Sequence, residues 1–169
     1  MTRQTGREEK MDQLLELVDL VKRFPFRRNS VRVNLANNPE EVTHKWGRPF
    51  LKRGVYSNGV SSGRIMDLVR EMLPGCSINR LALNRDLQTP PHRDPLNVGD
   101  FWLFFFGEGL EGGGLVTETG EVYSEPMVWH GPIPGRVLHW NLPHTGRKWS
   151  VVAYSRKECV REATENLAE

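Results

Sequence analysis

The stretch Pro90-Pro91-His92-Arg93-Asp94-Pro95-Leu96-Asn97 sets an imidazole and a carboxylate two positions apart. On a strand that spacing turns both side chains to one face. His92 and Asp94 side by side leave a metal short of ligands, and a second His from a distant strand would complete a two-His, one-carboxylate facial triad. Three open positions then remain, which suits a non-haem Fe(II) centre that takes a co-substrate and dioxygen together. A second stretch, Leu142-Pro143-His144-Thr145-Gly146-Arg147-Lys148-Trp149-Ser150, offers that His as His144. Arg147 and Lys148 right after it supply counter-charge for an acidic co-substrate. A bare His-x-Asp arises often by chance; its weight here comes from the downstream His, the basic pair ahead of a strand, and the strands between.

Those side chains need elements to hold them. Leu14, Leu17, Val18 and Val21 fall at helical spacing and predict an amphipathic helix over 7–22, closed by Phe24-Pro25. Val31, Val33 and Leu35 alternate with polar residues and predict a strand over 30–35. From 40 to 63 the glycines and Pro49 predict an irregular, loop-rich segment. There Lys45, Arg48, Lys52 and Arg53 lie among Trp46, Phe50 and Tyr56, a mixture that suits phosphate contact and base stacking as well as an ordinary solvated loop. A second helix is expected over 64–73, with Ile65, Leu68, Val69 and Met72 as its apolar stripe. Strands are expected over 77–84, 100–107, 115–117, 121–123, 136–140 and 149–154. Phe101 to Phe106 is apolar enough to be buried on both faces. Helices followed by six or more strands indicate an α+β domain with a sandwich or barrel core.

With 169 residues, 38% of them hydrophobic and 26% charged, the chain reads as one globular domain. A net charge of +2 excludes a polybasic coat and leaves room for a local basic groove. Cys76 and Cys159 have neither metal-binding nor disulfide-framework spacing, so a reducing, intracellular setting is expected, nuclear or cytoplasmic. Met1-Thr2-Arg3-Gln4 leads into charged residues rather than a signal-peptide core, and no apolar run reaches membrane-spanning length; a soluble protein without a membrane partner is expected.

The order of these pieces resembles a known family. Leu83-Asn84-Arg85, then His92-Arg93-Asp94 with Asn97, Gly107 with Gly112-Gly113-Gly114-Leu115, and Leu142-Pro143-His144 followed by Lys148-Trp149-Ser150-Val151-Val152-Ala153-Tyr154 look like the Fe(II)/2-oxoglutarate dioxygenases. Within them the likeness is to the TET/JBP-like branch, which oxidises pyrimidine bases in nucleic acids. The resemblance spans residues 76 to 156. It implies a double-stranded β-helix (jelly-roll) core over about 76–156, supporting helices over about 1–75 and a tail over 157–169, in a single domain over 1–169. It also implies His92, Asp94 and His144 as iron ligands, with His139 and His130 as rival third ligands and no metal role for His44.

The family's last strand opens with an arginine two residues before a Ser or Thr, to bind the far carboxylate of 2-oxoglutarate. Lys148 holds that place relative to Ser150, and a one-residue change of register would give it to Arg147. Asn84 is a further expected contact of the co-substrate. The family also has more residues between its distal His and this cation than separate His144 from Lys148. The implied reaction consumes 2-oxoglutarate and O2, yields succinate and hydroxylates a C–H bond, here a pyrimidine methyl group in DNA or RNA. Two alternatives stand beside it: the same chemistry on a protein side chain or small molecule, as in prolyl hydroxylase-like relatives, and a cupin-like binding domain with a degenerate triad.

Overall fold

The computed structural model of the chain describes residues 2–35, 51–94 and 96–157. Within them the fold is α+β and its sheets are antiparallel. Helix α1 (Thr2–Lys22) leads to strands β1 (Arg28–Leu35) and β2 (Leu51–Val60), then helix α2 (Arg64–Met72). Strands β3 (Arg80–Arg85), β4 (Asp100–Gly112), β5 (Leu115–Thr117), β6 (Val122–Tyr123), β7 (His130–Pro134), β8 (His139–Asn141) and β9 (His144–Tyr154) follow. They form a six-stranded sheet in the order β1-β2-β3-β9-β4-β7 and a three-stranded sheet in the order β6-β5-β8.

Alternation along the central strands divides the interior in two. Leu81, Leu83, Phe104, Phe106, Trp149, Val151 and Ala153 point to one face, where Leu17 and Val21 of α1 and Ile65, Met66, Leu68 and Val69 of α2 cover them. Their neighbours Phe101, Leu103 and Phe105 point to the other face and pack with Leu115 of β5 and Ile133 of β7. Strand β4 is therefore apolar on both sides, as its sequence requires. Arg64 of α2 grips Glu16 of α1 with two hydrogen bonds of 2.9 Å, which sets the helices' relative position more than it adds stability.

Several expectations change. The irregular segment over 40–63 contains β2, a strand despite Gly54 and Gly59, because β1 and β3 supply hydrogen-bond partners along both its edges. The part of that segment with Lys45, Trp46, Arg48 and Phe50 lies outside the described residues, as does His44. His130, between the strands expected over 121–123 and 136–140, opens β7. The strand expected over 136–140 is shifted to β8, and β9 starts five residues earlier than expected, at His144. Among the described residues no helix is long and apolar enough to cross a membrane.

Candidate metal centre

His92 and Asp94 do not share a regular strand. His92 makes an isolated antiparallel bridge with His139, each amide donating to the other's carbonyl at 3.0 Å. Residues opposed in this way project their side chains to the same side, and the two imidazole centroids lie 4.3 Å apart. The pairing is buttressed nearby, where the Thr89 hydroxyl and amide donate to Asn141 Oδ1 at 2.7 and 3.0 Å. Asp94 then reaches both rings: its carboxylate lies 3.2 Å from His139 Nε2 and 3.6 Å from His92 Nε2.

The two imidazoles are oriented alike. His92 Nδ1 donates to the carbonyl of Pro90 and His139 Nδ1 to the carbonyl of Val137, both at 2.8 Å. A carbonyl only accepts, so each Nδ1 carries the hydrogen, and Nε2 of each ring is the nitrogen that faces Asp94. Such backbone anchoring of the remote nitrogen is how a metal-binding His is commonly held. Donor atoms of His92, Asp94 and His139 all lie within 4.8 Å of one another. Burial disfavours the charged His139 ring, but its hydrogen bond to Asp94, the Val137 carbonyl and the Asp94 charge together raise its pKa.

His144 is not part of this group. It is buried at the start of β9, and its Nε2 faces Asp86 at 3.8 Å. His139 therefore replaces the expected His144 in third place. The third candidate, His130, is also elsewhere, with Nε2 bonded to the Glu125 carbonyl at 2.7 Å and its ring stacked on Phe105. The sequence signal for His139 was present. It precedes Lys148 by a longer interval than His144 does, removing the short connection noted above.

The cluster borders a cavity of about 150 Å³ between the two sheets. Asn84, Ser150, Val152 and Tyr154 line it from the large sheet and Leu115 and Asn141 from the small one. Its polar wall has a defined hydrogen-bond direction. Ser57 Oγ donates to Asn84 Oδ1 at 2.7 Å, and Asn84 Nδ2 donates to Ser150 Oγ at 3.1 Å. Ser150 thus keeps its own hydroxyl hydrogen for an acceptor in the cavity.

Register separates the two basic residues. Lys148 stands two positions before Ser150 on the same face of β9; it is buried, with Nζ 5.2 Å from the Phe105 ring centroid and 2.5 Å from the Gly113 carbonyl. Burial lowers its pKa to about 8, with the Asp86 charge opposing the shift. Arg147 is exposed and pairs with Asp86, which also accepts the Lys148 amide at 2.8 Å. Burial pushes the Asp86 carboxyl up, yet His144, the Lys148 amide and Arg147 outweigh it and leave its pKa lowered. Arg85 lies on the opposite face of β3 from Asn84, its guanidinium 4.0 Å from the Tyr56 ring centroid. None of Arg147, Arg85 and Lys148 lines the cavity itself; Lys148 is buried two residues along the same face of β9 from Ser150, which does.

No protein-family model matches the chain, and no curated protein matches it either.

Proposed function

We propose that the protein is an Fe(II)- and 2-oxoglutarate-dependent oxygenase built on a double-stranded β-helix, with His92, Asp94 and His139 as the metal ligands. The observation that supports this reading is the placement of those three donors on the wall of a cavity that Ser150 also lines, two residues along β9 from a buried cation at Lys148. Two imidazole nitrogens and one carboxylate oxygen form a donor set that suits Fe(II) while leaving positions open, and none of the three is a thiolate that would favour a closed zinc site. When bound, the iron would supply oxidation of a C–H bond coupled to decarboxylation of the 2-oxo acid.

The chain's own residues do the rest. Lys148 neutralises the far carboxylate of the co-substrate, and Ser150 donates its hydroxyl hydrogen to the same group. Asn84 fixes the direction of that hydroxyl. Phe105, Leu103 and Val152 keep water from the dicarboxylate's methylene chain, so the ion pair forms in a low-dielectric setting where it is strong. The substrate we propose is a pyrimidine base of a nucleic acid, which must leave its stack to reach an enclosed centre. A degenerate binding domain is the weaker reading, because His139 as third ligand restores the longer interval before Lys148 that His144 lacks.

The test is anaerobic titration of Fe(II) and 2-oxoglutarate, followed by succinate release in air. The parent should form the charge-transfer band of the chelated 2-oxo acid and release succinate. His139→Ala and Asp94→Ala should bind little Fe(II), whereas His144→Ala, if folded, should retain it. Native Fe(II) stoichiometry in His139→Ala, or no succinate from an iron-loaded parent, would refute the proposal.

A further inference from the structure

A second chamber, of about 210 Å³, opens on the outer side of Asp94, lined by Asp94, Leu96, Asn97, Tyr154 and Arg156. It shares Asp94, Asn97 and Tyr154 with the inner cavity, so the two volumes adjoin at Asp94, one of the three candidate ligands. A reaction that joins two organic substrates at one metal needs such an arrangement. The inner volume is lined by Asn84 and Ser150 and by no lysine or arginine side chain; the outer one presents Arg156 and a different kind of wall.

Arg156 is held there by its backbone. Its amide donates to Asn79 Oδ1 at 2.9 Å, its carbonyl accepts from Asn79 Nδ2 at 3.0 Å, and it bridges Asn97 in antiparallel fashion. Among the described residues no carboxylate forms an ion pair with its guanidinium. A planar fork of donors fixed at the base and open at the tip matches an oxyanion. Beside it are exposed apolar side chains, Leu96 at 62% and Val98 at 54% accessibility, and the half-buried ring of Tyr154. An anion with a flat, apolar neighbour one bond system away is the chemistry of a nucleotide unit.

Resting on the oxygenase reading above, we propose that the outer chamber is the primary-substrate subsite and that Arg156 grips a backbone phosphate of a single-stranded nucleic acid. The adjoining base then lies along Tyr154 and Leu96 and faces the metal centre. Arg156 is thereby a positioning residue for the reaction, separate from Lys148, which serves the co-substrate.

The experiment measures binding of a short fluorescein-labelled single-stranded oligothymidylate to the full chain by anisotropy at several salt concentrations. Arg156→Gln should weaken binding roughly ten-fold and reduce the slope of log K against log salt by about one. Arg23→Gln, which removes an exposed charge at the end of α1, should change neither. The charge-transfer titration with 2-oxoglutarate should be the same in Arg156→Gln as in the parent. Equal oligonucleotide affinity in Arg156→Gln and parent overturns the proposal, and so does an equal loss in Arg23→Gln. Displacement of the oligonucleotide by succinate but not by inorganic phosphate assigns the chamber to a carboxylate and also overturns it. Loss of oligonucleotide binding in Arg156→Gln from a parent that releases no succinate leaves the phosphate site standing and removes the oxygenase.

Discussion

A lysine enclosed between β9 and the Phe105 ring is tolerated at a cost, and the cost has a pH signature. The Lys148 pKa falls from 10.5 in the unfolded chain to about 8 in the fold, because burial disfavours the ammonium. Between those values the unfolded chain holds a proton that the folded chain has released, so stability rises with pH across that window. The whole rise is on the order of 3 kcal/mol. Lys148→Met should flatten it, which urea midpoints measured from about pH 7.5 to 10.5 will show; an unchanged slope would mean that the ammonium is better solvated than its surroundings indicate. A carboxylate arriving beside Nζ restores the charged form. Affinity for 2-oxoglutarate should accordingly fall as the pH is raised above about 8, measured by the same charge-transfer titration, and Lys148→Met should weaken binding at neutral pH by roughly ten- to a hundred-fold. At this scale the sequence singled out His92, Asp94, Ser150 and Asn84 from segments far apart in the chain, and the structure brings them to one cavity. It did not show which His joins them. His144 sits in the more suggestive string of residues, but its place at the start of β9 turns it to Asp86, whereas His139 is opposed to His92 by a pairing between segments forty-odd positions apart. Only the strand register reveals that pairing.

At the scale of elements, the turn from β4 to β5 decides how closely β9 can approach. Gly113 has φ +83, and a Cβ there would come within 3.2 Å of His144 Cβ and Lys148 Cδ. A side chain meets both an unfavourable backbone region and a crowded one, and the Gly113 carbonyl is the acceptor for Lys148 Nζ. Gly113→Ala should therefore cost about 1–3 kcal/mol in urea denaturation. It should also weaken 2-oxoglutarate binding, since Lys148 shifts with the turn; a neutral substitution in both assays would show the turn to be adjustable. The helices and β4 were legible because their apolar spacing is strong: Leu17, Val21, Leu68 and Val69 are all fully buried. Strand β2 was not, since glycines inside it read as breaks when its two partners are out of view. The short β8 carries little periodic signal of its own, and its position follows from pairing with β5.

For the molecule as a whole, the large sheet serves two interiors at once. Phe104 faces the helices and Phe105 the cavity side, one residue apart and both fully buried. Phe104→Ala should destabilise the protein by about 3–5 kcal/mol, a large share of the roughly 5–15 kcal/mol that holds a domain together. Its denaturant slope should match that of the parent, because the same surface is exposed on unfolding. Phe105→Ala removes similar apolar contact but also opens space for water beside Lys148, so its loss should shrink at neutral pH relative to Phe104→Ala. Equal losses at all pH values would show that the cavity stays dry.

The reciprocal amide bonds between His92 and His139 make the centre a reporter of its own opening. Neither strand segment can separate without parting both rings, so the two amide protons should exchange with deuterium through one shared opening event. A cation bound to the closed form alone raises the free energy of that opening by about 2.7 kcal/mol at a hundred times its dissociation constant. Both exchange rates should then slow together by about a hundred-fold when Mn(II) is added, while the amides of α2 are unaffected.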